Sequence, residues 1–352
     1  MSNTNLRKAK KAKCDEFYTQ YADIEKELQH YNFEDKIVYC NCDHPIQSNF
    51  VKYFCDNYYK LKLKGLISTF YSEEGKSFVY RFDGLKESKK GLNGNGSYDS
   101  EECLKLLEEC DVVVTNPPFS LFRDYVKLLM DYNKKFLIIG NMNAITYKEI
   151  FPYIKNNQMW WGVSLNGTKC NFVVPENYEG NNVFVENGVR YGKVNNAIWL
   201  TNIPHINPNK PLILTKTYNP TEYPKYDNYD AINVNKVKDI PIDYDGVMGV
   251  PITFLDKYCP TQFEIVGLMS GAKGENLTNG NDNRAKFYIN NKGVYARLLI
   301  KKKDSLEPVE FEIIGWSRHN DLDMDGGYWL GGCNDATING KIVYRRILIK
   351  KR

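Results

Sequence analysis

A four-residue segment, Asn116-Pro117-Pro118-Phe119, combines the groups in this chain that are best suited to chemistry. It directly follows DVVVT (111–115), a continuous apolar run that predicts a buried strand. In an open α/β sheet, ligands bind at the carboxyl ends of the strands, where this segment would lie. At average composition, such a pattern is expected by chance in roughly one chain in a hundred or fewer of this length. The segment is therefore the first candidate for a catalytic loop.

The loop presents hydrogen-bond acceptors in a fixed arrangement. Each proline fixes φ and removes an N–H donor, so the loop is stiff and rich in outward carbonyl groups. The side-chain oxygen of Asn116 and the backbone carbonyl of Pro117 could accept the two N–H hydrogens of an exocyclic amine such as N6 of adenine. That amine is a poor nucleophile because its lone pair is delocalised into the ring. Two acceptors pull the nitrogen toward a pyramidal, nucleophilic state, and a neutral amide needs no pKa tuning for this task.

An aromatic ring closes the motif. Phe119 offers a face on which a base can stack. A base inside a duplex is out of reach of such a loop, so it would have to be flipped out. Positioning and electrostatics would then supply most of the catalysis. The alternative is a purely structural Pro-Pro turn after a strand.

Short apolar strands alternate with helical segments around this loop. Continuous apolar strands separated by helices are typical of a parallel sheet that is covered on both faces. We therefore predict a doubly wound α/β domain up to about residue 205. The predicted strands are 36–42, 65–71, 78–83, 111–115 and 134–140, the predicted helices are 15–31, 43–61, 100–110 and 120–133, and 86–100 is predicted to be a loop.

The composition changes after Leu200. A proline-rich stretch without helical periodicity follows, and short β-type segments separated by Gly/Asn turns continue from about residue 230 to the end. We place the domain boundary between 1–205 and 206–352. Two pairs of segments resemble each other, which predicts a tandem β unit: QFEIVG (262–267) with EFEIIG (310–315), and GVYARLLIKK (293–302) with KIVYRRILIKK (341–351).

The bulk composition excludes several classes of protein. The chain has 352 residues, of which 42% are hydrophobic, and this supports a sizeable core. No apolar stretch is long enough for a membrane span, and no apolar segment follows the basic N-terminal residues as in a signal peptide. Nine scattered cysteines fit a reduced, cytoplasmic protein better than a disulfide scaffold. The net charge of +4 does not by itself demand a nucleic-acid partner.

One local cluster of metal-ligand types stands at the end of the first predicted strand. Cys40, Cys42 and His44 would need a fourth ligand, and no matching pair follows them. We therefore predict no metal site and interpret these residues as part of a strand-end loop.

Several segments beyond the catalytic loop resemble a known family. The chain resembles the amino-methyltransferases of DNA, whose motif is (Asp/Asn/Ser)-Pro-Pro-(Tyr/Phe/Trp), and is most similar to the EcoRI-type adenine-specific modification methylases. The resemblance spans nearly the whole chain. It is carried by DEFYTQYADIEKEL (15–28), VTNPPFSLFRDYV (114–126), IWLTNIPH (198–205), YDAINVNKVKDIPIDYDGVMGVPITFLDKY (229–258) and VYRRILIKKR (343–352).

This resemblance implies a Rossmann-like class I methyltransferase sheet, S-adenosylmethionine as the methyl donor and adenine in double-stranded DNA as the acceptor. It also implies that residues 1–205 form the catalytic domain and that 206–352 form a mainly β region for target recognition. A restriction-modification role, a palindromic site such as GAATTC and a cognate endonuclease encoded nearby follow as expectations. A monomer is expected, since one molecule can methylate each strand in turn.

Cofactor contacts are expected in three places. The turn Phe17-Tyr18-Thr19 matches the motif that precedes the first strand in this family, and the loop Cys40-Asn41-Cys42-Asp43 takes the place of the first cofactor loop. That loop is glycine-rich in most relatives but contains no glycine here, and Asp43 is assigned to the methionine side. The second strand ends without the usual acid for the ribose hydroxyls, since Glu73 comes only later. Asp99 is therefore the candidate for the adenine end, with a plain surface turn as an equal alternative.

Other residues could contact DNA. Trp199 could form a second stacking wall for the flipped base, although a core position is the favoured interpretation. Basic residues of the C-terminal half could bind phosphates, but each could equally be an ordinary surface charge: Lys216, Lys273, Arg284, Arg297 and Arg345.

Two alternatives to a DNA adenine methyltransferase stay open from the sequence. The motif also occurs in enzymes that methylate exocyclic amines of RNA or glutamine amides of proteins. A DNA-binding module without catalytic activity would account for the altered first loop.

Overall fold

The structure is a computed structural model, and it divides the chain into two compact units. The first consists of Met1–Ile145 and Gln158–Ile206, and the second of Thr146–Asn157 and Asn207–Arg352. The sequence-based division places 146–157 in the first domain, whereas these residues group with the second unit here. The described residues are 19–166, 170–174, 183–194, 196–205, 210–226, 229–269, 297–302, 311–317, 328–330, 337–338, 341–344 and 346–352.

An eight-stranded mixed sheet forms the first unit. Its strands are β1 (Ile37–Cys40), β2 (Gly65–Ser68), β3 (Phe78–Phe82), β4 (Glu87–Gly91), β5 (Val112–Thr115), β6 (Lys135–Asn141), β7 (Trp160–Asn166) and β11 (Ala197–Thr201). They lie side by side in the order β4-β3-β2-β1-β5-β6-β11-β7. The central strands are parallel, as the continuous apolar runs predict, and the strands at both edges are antiparallel.

The helices of this unit follow the sequence pattern closely. They are α1 (Tyr21–Leu28), α2 (Asn49–Asp56), α3 (Glu101–Glu109) and α4 (Phe122–Asp131). Ser48 and Ser100 cap α2 and α3, since their hydroxyl groups accept hydrogen bonds from the N–H groups of Phe50 and Cys103. Each helix buries one apolar face. The faces of α1 and α2 pack on a core in which Val38, Val114 and Ile139 of the central strands are also buried. The predicted α/β class is confirmed.

One predicted loop is in part a strand. Residues 86–100 contain β4, which pairs antiparallel with β3 in the register Phe82↔Glu87 to Phe78↔Gly91. All five residues of β4 are exposed, so their polar sequence ESKKG carries no apolar alternation from which a strand could be recognised. Charged side chains on an edge strand are also a means of preventing edge-to-edge association.

A small three-stranded sheet lies between β7 and β11 in the sequence. Its strands are β8 (Cys170–Val173), β9 (Val183–Glu186) and β10 (Val189–Val194), in the order β8-β10-β9. Phe172 of β8 is fully buried in the same hydrophobic core as Trp199 of β11. The small sheet is thereby anchored to the main one through an apolar side chain.

A buried carboxylate connects the first helix to an edge strand. Glu27 of α1 has no exposed surface, and it accepts hydrogen bonds from Tyr31 Oη (2.7 Å), the N–H groups of Val163 (2.8 Å) and Ser164 (2.6 Å), and Ser164 Oγ (2.6 Å). Burial and the adjacent carboxylate raise the pKa of Tyr31, which keeps its hydroxyl protonated as a donor. Gly162 is required beside this cluster, because a Cβ there would lie 2.2 Å from Glu27 Oε1.

Glu27→Gln is expected to lower the free energy of unfolding by about 1–3 kcal/mol, because the new amide N–H₂ would face a backbone N–H that loses its acceptor. Urea unfolding of the full chain measures this difference. Glu25→Gln on the exposed side of the same helix is the control and should leave the unfolding free energy within about 0.5 kcal/mol of the original. Equal unfolding free energies for the two variants would contradict the anchoring role of Glu27.

The described residues of the second unit contain mainly β structure. A short helix α5 (Phe151–Lys155) accompanies a four-stranded sheet with the order β12-β13-β20-β14. No helix in the described part of the chain is long and apolar enough to cross a membrane. The remaining strands are β12 (Ile232–Asn233), β13 (Met248–Pro251), β14 (Phe263–Leu268), β15 (Arg297–Lys302), β16 (Phe311–Ser317), β17 (Tyr328–Leu330), β18 (Thr337–Ile338), β19 (Lys341–Ile342) and β20 (Arg346–Lys351).

The two sequence echoes form two strand pairs with the same register. β14 pairs with β20, and β16 pairs with β15, both antiparallel. Phe263 lies opposite Lys351 as Phe311 lies opposite Lys302, and Gly267 lies opposite Leu348 as Gly315 lies opposite Leu299. Both pairs also carry an irregularity immediately before that glycine. The repeated segments thus have a structural counterpart, in which each strand pair joins one segment from each repeat and the pair β15–β16 lies between β14 and β20 in the sequence.

Candidate functional site

A cavity of about 590 Å³ lies at the carboxyl ends of β1, β2 and β5. Its volume is in the range of sites that bind small organic molecules. All of its lining belongs to the first unit. The lining residues are Thr19, Asn41, Cys42, Asp43, His44, Gln47, Ser48, Asn49, Phe70, Tyr71, Ser72, Glu73, Gly96, Ser97, Tyr98, Asn116, Pro118, Ser120 and Leu121.

The loop after β1 is fastened to β2 by backbone hydrogen bonds. Thr69 N–H donates to the Cys40 carbonyl (3.2 Å), and Asp43 N–H donates to the Thr69 carbonyl (3.0 Å). Asn41 is almost fully buried, and its Oδ1 accepts a hydrogen bond from Tyr125 Oη at 2.5 Å. Asn41 Nδ2 is buried without a hydrogen-bond partner among the described residues. A buried, unsatisfied donor on a cavity wall is suited to a polar ligand atom.

Asp43 is the most highly connected acid of the cavity. Its carboxylate accepts hydrogen bonds from Ser48 Oγ (2.6 Å), at the start of α2, and from Thr115 Oγ1, at the end of β5. Its backbone carbonyl accepts one from Ser68 Oγ (2.5 Å) at the end of β2. The side chain is only 7% exposed. A fixed carboxylate is therefore held where three structural elements meet.

The loop Asn116–Phe119 forms the next wall. Asn116 and Pro118 line the cavity, and Asn116 Nδ2 lies 3.4 Å from Thr19 Oγ1 of the segment before α1. This contact orients the amide with its nitrogen toward Thr19. Phe119 is half-buried against the main core and begins a 3₁₀ turn (Phe119–Leu121) that leads into α4.

The far end of the cavity is aromatic. The ring of His44 lies 4.3 Å from that of Phe70, and Phe70 lies 5.2 Å from Phe78. His44 Nδ1 accepts a hydrogen bond from the Ile46 N–H (3.2 Å). Burial, and secondarily the charge of Lys89, lower the pKa of His44, so the ring is neutral near pH 7 with its proton on Nε2.

The electrostatic character of the cavity is acidic. Its described lining contains two carboxylates, Asp43 and Glu73, and neither lysine nor arginine. Burial raises the pKa of Tyr98 to about 12 and that of Cys42 well above its ordinary value, so both are neutral near pH 7. A cationic ligand is therefore favoured over an anionic one.

The sequence-predicted residues fall into three groups. Those on the cavity wall are Thr19, Asn41, Asp43, Asn116 and Pro118. Those next to the wall but not part of it are Cys40, Asp99, Pro117 and Phe119. Phe17 and Tyr18 lie outside the described residues, as do Lys273, Arg284 and Arg345 and the side chain of Arg297.

Trp199 does not lie on the cavity. It is fully buried in β11, and its ring packs edge-on against Phe50 at 5.9 Å. A side chain without exposed surface has no face to offer to a base. The stacking role is therefore wrong for Trp199 in this structure, and the core interpretation agrees with its position.

The structure places Glu73 on the cavity wall and Asp99 outside it, although Asp99 is the acid that the sequence favours for contact with the cofactor. The Asp99 carboxylate accepts a hydrogen bond from Ser97 Oγ in its own turn, and Asp99 does not line the cavity. Glu73 does line it, because the segment after β2 folds back along the wall. The signal for Glu73 in the sequence is the pair of acids Glu73-Glu74 shortly after β2, although neither stands at the strand end itself.

A glycine, Gly96, completes this side of the wall. Gly96 adopts φ +76°, and a Cβ there would lie 2.1 Å from the Phe70 carbonyl oxygen. A side chain at position 96 would therefore collide with the cavity wall, and glycine permits this close approach of two backbone segments.

Comparison with known families identifies a match over most of the chain. The model described as adenine-specific methyltransferase EcoRI matches residues 5–303. The comparison with solved structures gave no match.

Comparison with curated proteins identifies three relatives. The chain is 49% identical over 327 residues to the Type II methyltransferase M.EcoRI of Escherichia coli, covering 86% of this chain and 97% of that protein. It is 38% identical over 314 residues to the Type II methyltransferase M.MgeORF184P of Mycoplasma genitalium (85% and 99%). It is 41% identical over 275 residues to the Type II methyltransferase M.MpnI of Mycoplasma pneumoniae (75% and 86%).

Proposed function

The chain belongs to the family described as adenine-specific methyltransferase EcoRI, and we propose that it transfers a methyl group from S-adenosylmethionine to N6 of adenine in duplex DNA. The observation that carries this proposal is the position of Asn116 on the wall of an acidic cavity of about 590 Å³. It places an amide acceptor for the amine beside space for the donor. The cofactor would supply a methyl group bonded to a sulfonium, which is cationic.

The cavity residues fit such a cofactor. The buried Asp43 carboxylate suits its α-ammonium group, and the Asn41 Nδ2 donor suits its carboxylate. Glu73 is proposed to accept hydrogen bonds from the ribose hydroxyls in place of Asp99. The neutral His44 and Phe70 offer apolar faces for the adenine ring of the cofactor.

The catalytic step needs acceptors rather than a general base. Asn116 Oδ1 and the Pro117 carbonyl accept the two N–H hydrogens of the target amine and favour a pyramidal nitrogen. As the N–CH₃ bond forms, the S–CH₃ bond of the sulfonium would break to leave a neutral thioether, and one of these hydrogens would then pass to water as a proton and restore a neutral amine. Thr19 Oγ1 holds the Asn116 amide in the orientation that this requires. Phe119 is proposed to stack on the extruded adenine.

The proposal extends to the partner and the recognised sequence. Extrusion of the base makes the amine accessible to the loop. We propose that the second unit contributes to target recognition, with the exposed Lys216 among its phosphate contacts. We further propose that the recognised site is a palindrome containing adenine, with GAATTC as the first sequence to test. The same proposal includes that the protein acts as a monomer and that a cognate endonuclease is encoded nearby.

Sequencing of DNA from cells that express the chain, with detection of N6-methyladenine, tests the proposal and identifies the site. A tritiated methyl-transfer assay with duplex DNA, RNA and protein extract tests the substrate class. We expect label in duplex DNA only. Label in RNA or protein without label in DNA would contradict the proposal.

Glu73→Gln is expected to raise the dissociation constant of S-adenosylmethionine about fivefold, because a neutral amide is a weaker acceptor for ribose hydroxyls than a carboxylate. Calorimetric titration of the full chain measures it. Asp99→Asn is the matched variant and is expected to change the constant by less than about twofold, since Asp99 does not line the cavity. A larger increase in the dissociation constant for Asp99→Asn than for Glu73→Gln would contradict the role of Glu73 and support Asp99 as the contact at the adenine end of the cofactor.

A further inference from the structure

The small sheet between β7 and β11 emerges at the catalytic edge of the main sheet. Ala197, the first residue of β11, lies opposite Asn141, the last residue of β6. β6 runs parallel to β5, so this is also the edge at which β5 continues into Asn116. Asn166, the last residue of β7, pairs with Ile198 at the same edge. Both ends of the segment that contains β8, β9 and β10 are therefore on the side where DNA must approach.

The base of this segment is fixed and its tip is exposed. Phe172 of β8 is fully buried in the main core, and it lies opposite Gly192 of β10. The strands β9 and β10 are joined by Asn187-Gly188, with φ values of 50° and 76°. Positive φ at both central residues is typical of a type I′ turn, which gives a tight and well-defined hairpin.

The two faces of the hairpin carry different side chains. On one face, Phe184 and Tyr191 stack at 5.4 Å with an interplanar angle of 23°. On the other face, Val185 lies opposite Arg190 and is 63% exposed. Asn187 at the tip is exposed as well. The aromatic pair stiffens the ribbon, whereas Val185 and Asn187 are presented outward.

We propose that the β9–β10 hairpin enters the major groove beside the target adenine and reads base edges there. The proposal rests on the proposed function, since that function brings duplex DNA to this edge. A two-stranded β ribbon fits the major groove, where the N6 amine of adenine is also displayed. Val185 is suited to contact a thymine methyl group, and Asn187 is suited to bond the N7 and N6 groups of an adenine.

This assignment places part of the specificity in the catalytic unit rather than in residues 206–352 alone. The occupant is duplex DNA because the hairpin is continuous with the catalytic edge. A surface valine beside a polar turn also matches the mixed apolar and polar pattern of base edges in the groove. The hairpin therefore acts as a specificity-determining element close to the reacting base.

Val185→Ala and Asn187→Gly test the proposal in the full chain. Gly-Gly also supports a type I′ turn, so the second variant removes a side chain without removing the turn. The substrate is the duplex that expressing cells methylate, together with duplexes carrying each single base-pair change in that site. Leu85→Ala is the control, because Leu85 is 84% exposed in the β3–β4 turn, at the edge of the main sheet opposite β7. Cofactor affinity and the melting temperature report folding.

Each variant is expected to melt and bind cofactor normally, to lose about tenfold in kcat/KM on its site, and to lose discrimination at one base pair. Leu85→Ala should match the unmodified chain in every assay. Unchanged kcat/KM on all duplexes would overturn the proposal. An equal loss on every duplex would overturn base reading by indicating a backbone contact.

If a variant melts at a lower temperature than the unmodified chain, crosslinking to the duplex from p-benzoylphenylalanine at position 185 tests the proposal instead. The absence of this crosslink would overturn the proposal. Failure of the unmodified chain to methylate any duplex would refute the proposed function separately.

Discussion

Asn116→Ala should lower kcat for methyl transfer by about 10²–10³-fold, which is the effect of removing one preorganised hydrogen-bond partner of a reacting group. The dissociation constants of cofactor and duplex should change by less than about twofold. The reason is that the amide acts on the amine as it becomes nucleophilic and not on the cofactor. Single-turnover kinetics with saturating enzyme separate this chemical step from binding and product release.

Asn116→Asp is the informative companion of that variant. It keeps an oxygen acceptor of the same length, and an acid occurs at this position in the wider motif, so measurable turnover should remain. Ser120→Ala, on an exposed part of the same wall, should leave kcat within about twofold. Normal turnover by Asn116→Ala would overturn the acceptor mechanism.

Asp43→Asn should raise the dissociation constant of S-adenosylmethionine by about 10–100-fold, the equivalent of about 1.5–3 kcal/mol for a charge-assisted hydrogen bond. The substitution removes the buried negative charge of the cavity and gives Ser48 or Thr115 an amide in place of a carboxylate oxygen. At saturating cofactor, kcat should recover to within a few-fold, because Asp43 does not touch the target amine.

A carboxylate at the other end of β5 provides the control for this variant. Asp111 accepts a hydrogen bond from the Ile37 N–H at 2.7 Å, and it lies just before β5 at the edge away from the cavity. Asp111→Asn should leave cofactor affinity unchanged. If Asp43→Asn binds cofactor as tightly as the unmodified chain, the cation-binding role of Asp43 is wrong.

The central strands and the position of the candidate loop Asn116–Phe119 could be predicted from the sequence because both follow from local patterns. The run Val112–Val114 is apolar on both faces, which is typical of a strand in a parallel sheet covered on both sides. The rule that ligands bind at strand ends then located Asn116. β4 could not be predicted, since an exposed edge strand lacks the apolar alternation on which recognition depends.

The errors within the site involve contacts between residues that are distant in the sequence. The residue type of Trp199 permits stacking on a base, but its burial depends on Phe50 and Phe172 elsewhere in the chain. The position of Glu73 on the wall does not follow from its distance to β2 in the sequence, because that distance does not show that the chain runs along the cavity from Phe70 to Glu73. The buried position of Glu27 shows no pattern in the sequence either, because its backbone partners Val163 and Ser164 lie more than a hundred residues away and only Tyr31 is close to it in the chain.

The nested strand pairs of the second unit have a consequence for how the protein could diversify. Leu268 at the end of β14 lies opposite Ile347 near the start of β20, so residues 269–346 leave and rejoin the outer ribbon at neighbouring positions. A segment whose ends already meet can be shortened, lengthened or exchanged at little entropic cost to the rest of the fold. Recombination at this point would exchange the inner strand pair as one segment, while β12, β13, β14 and β20 keep their pairing.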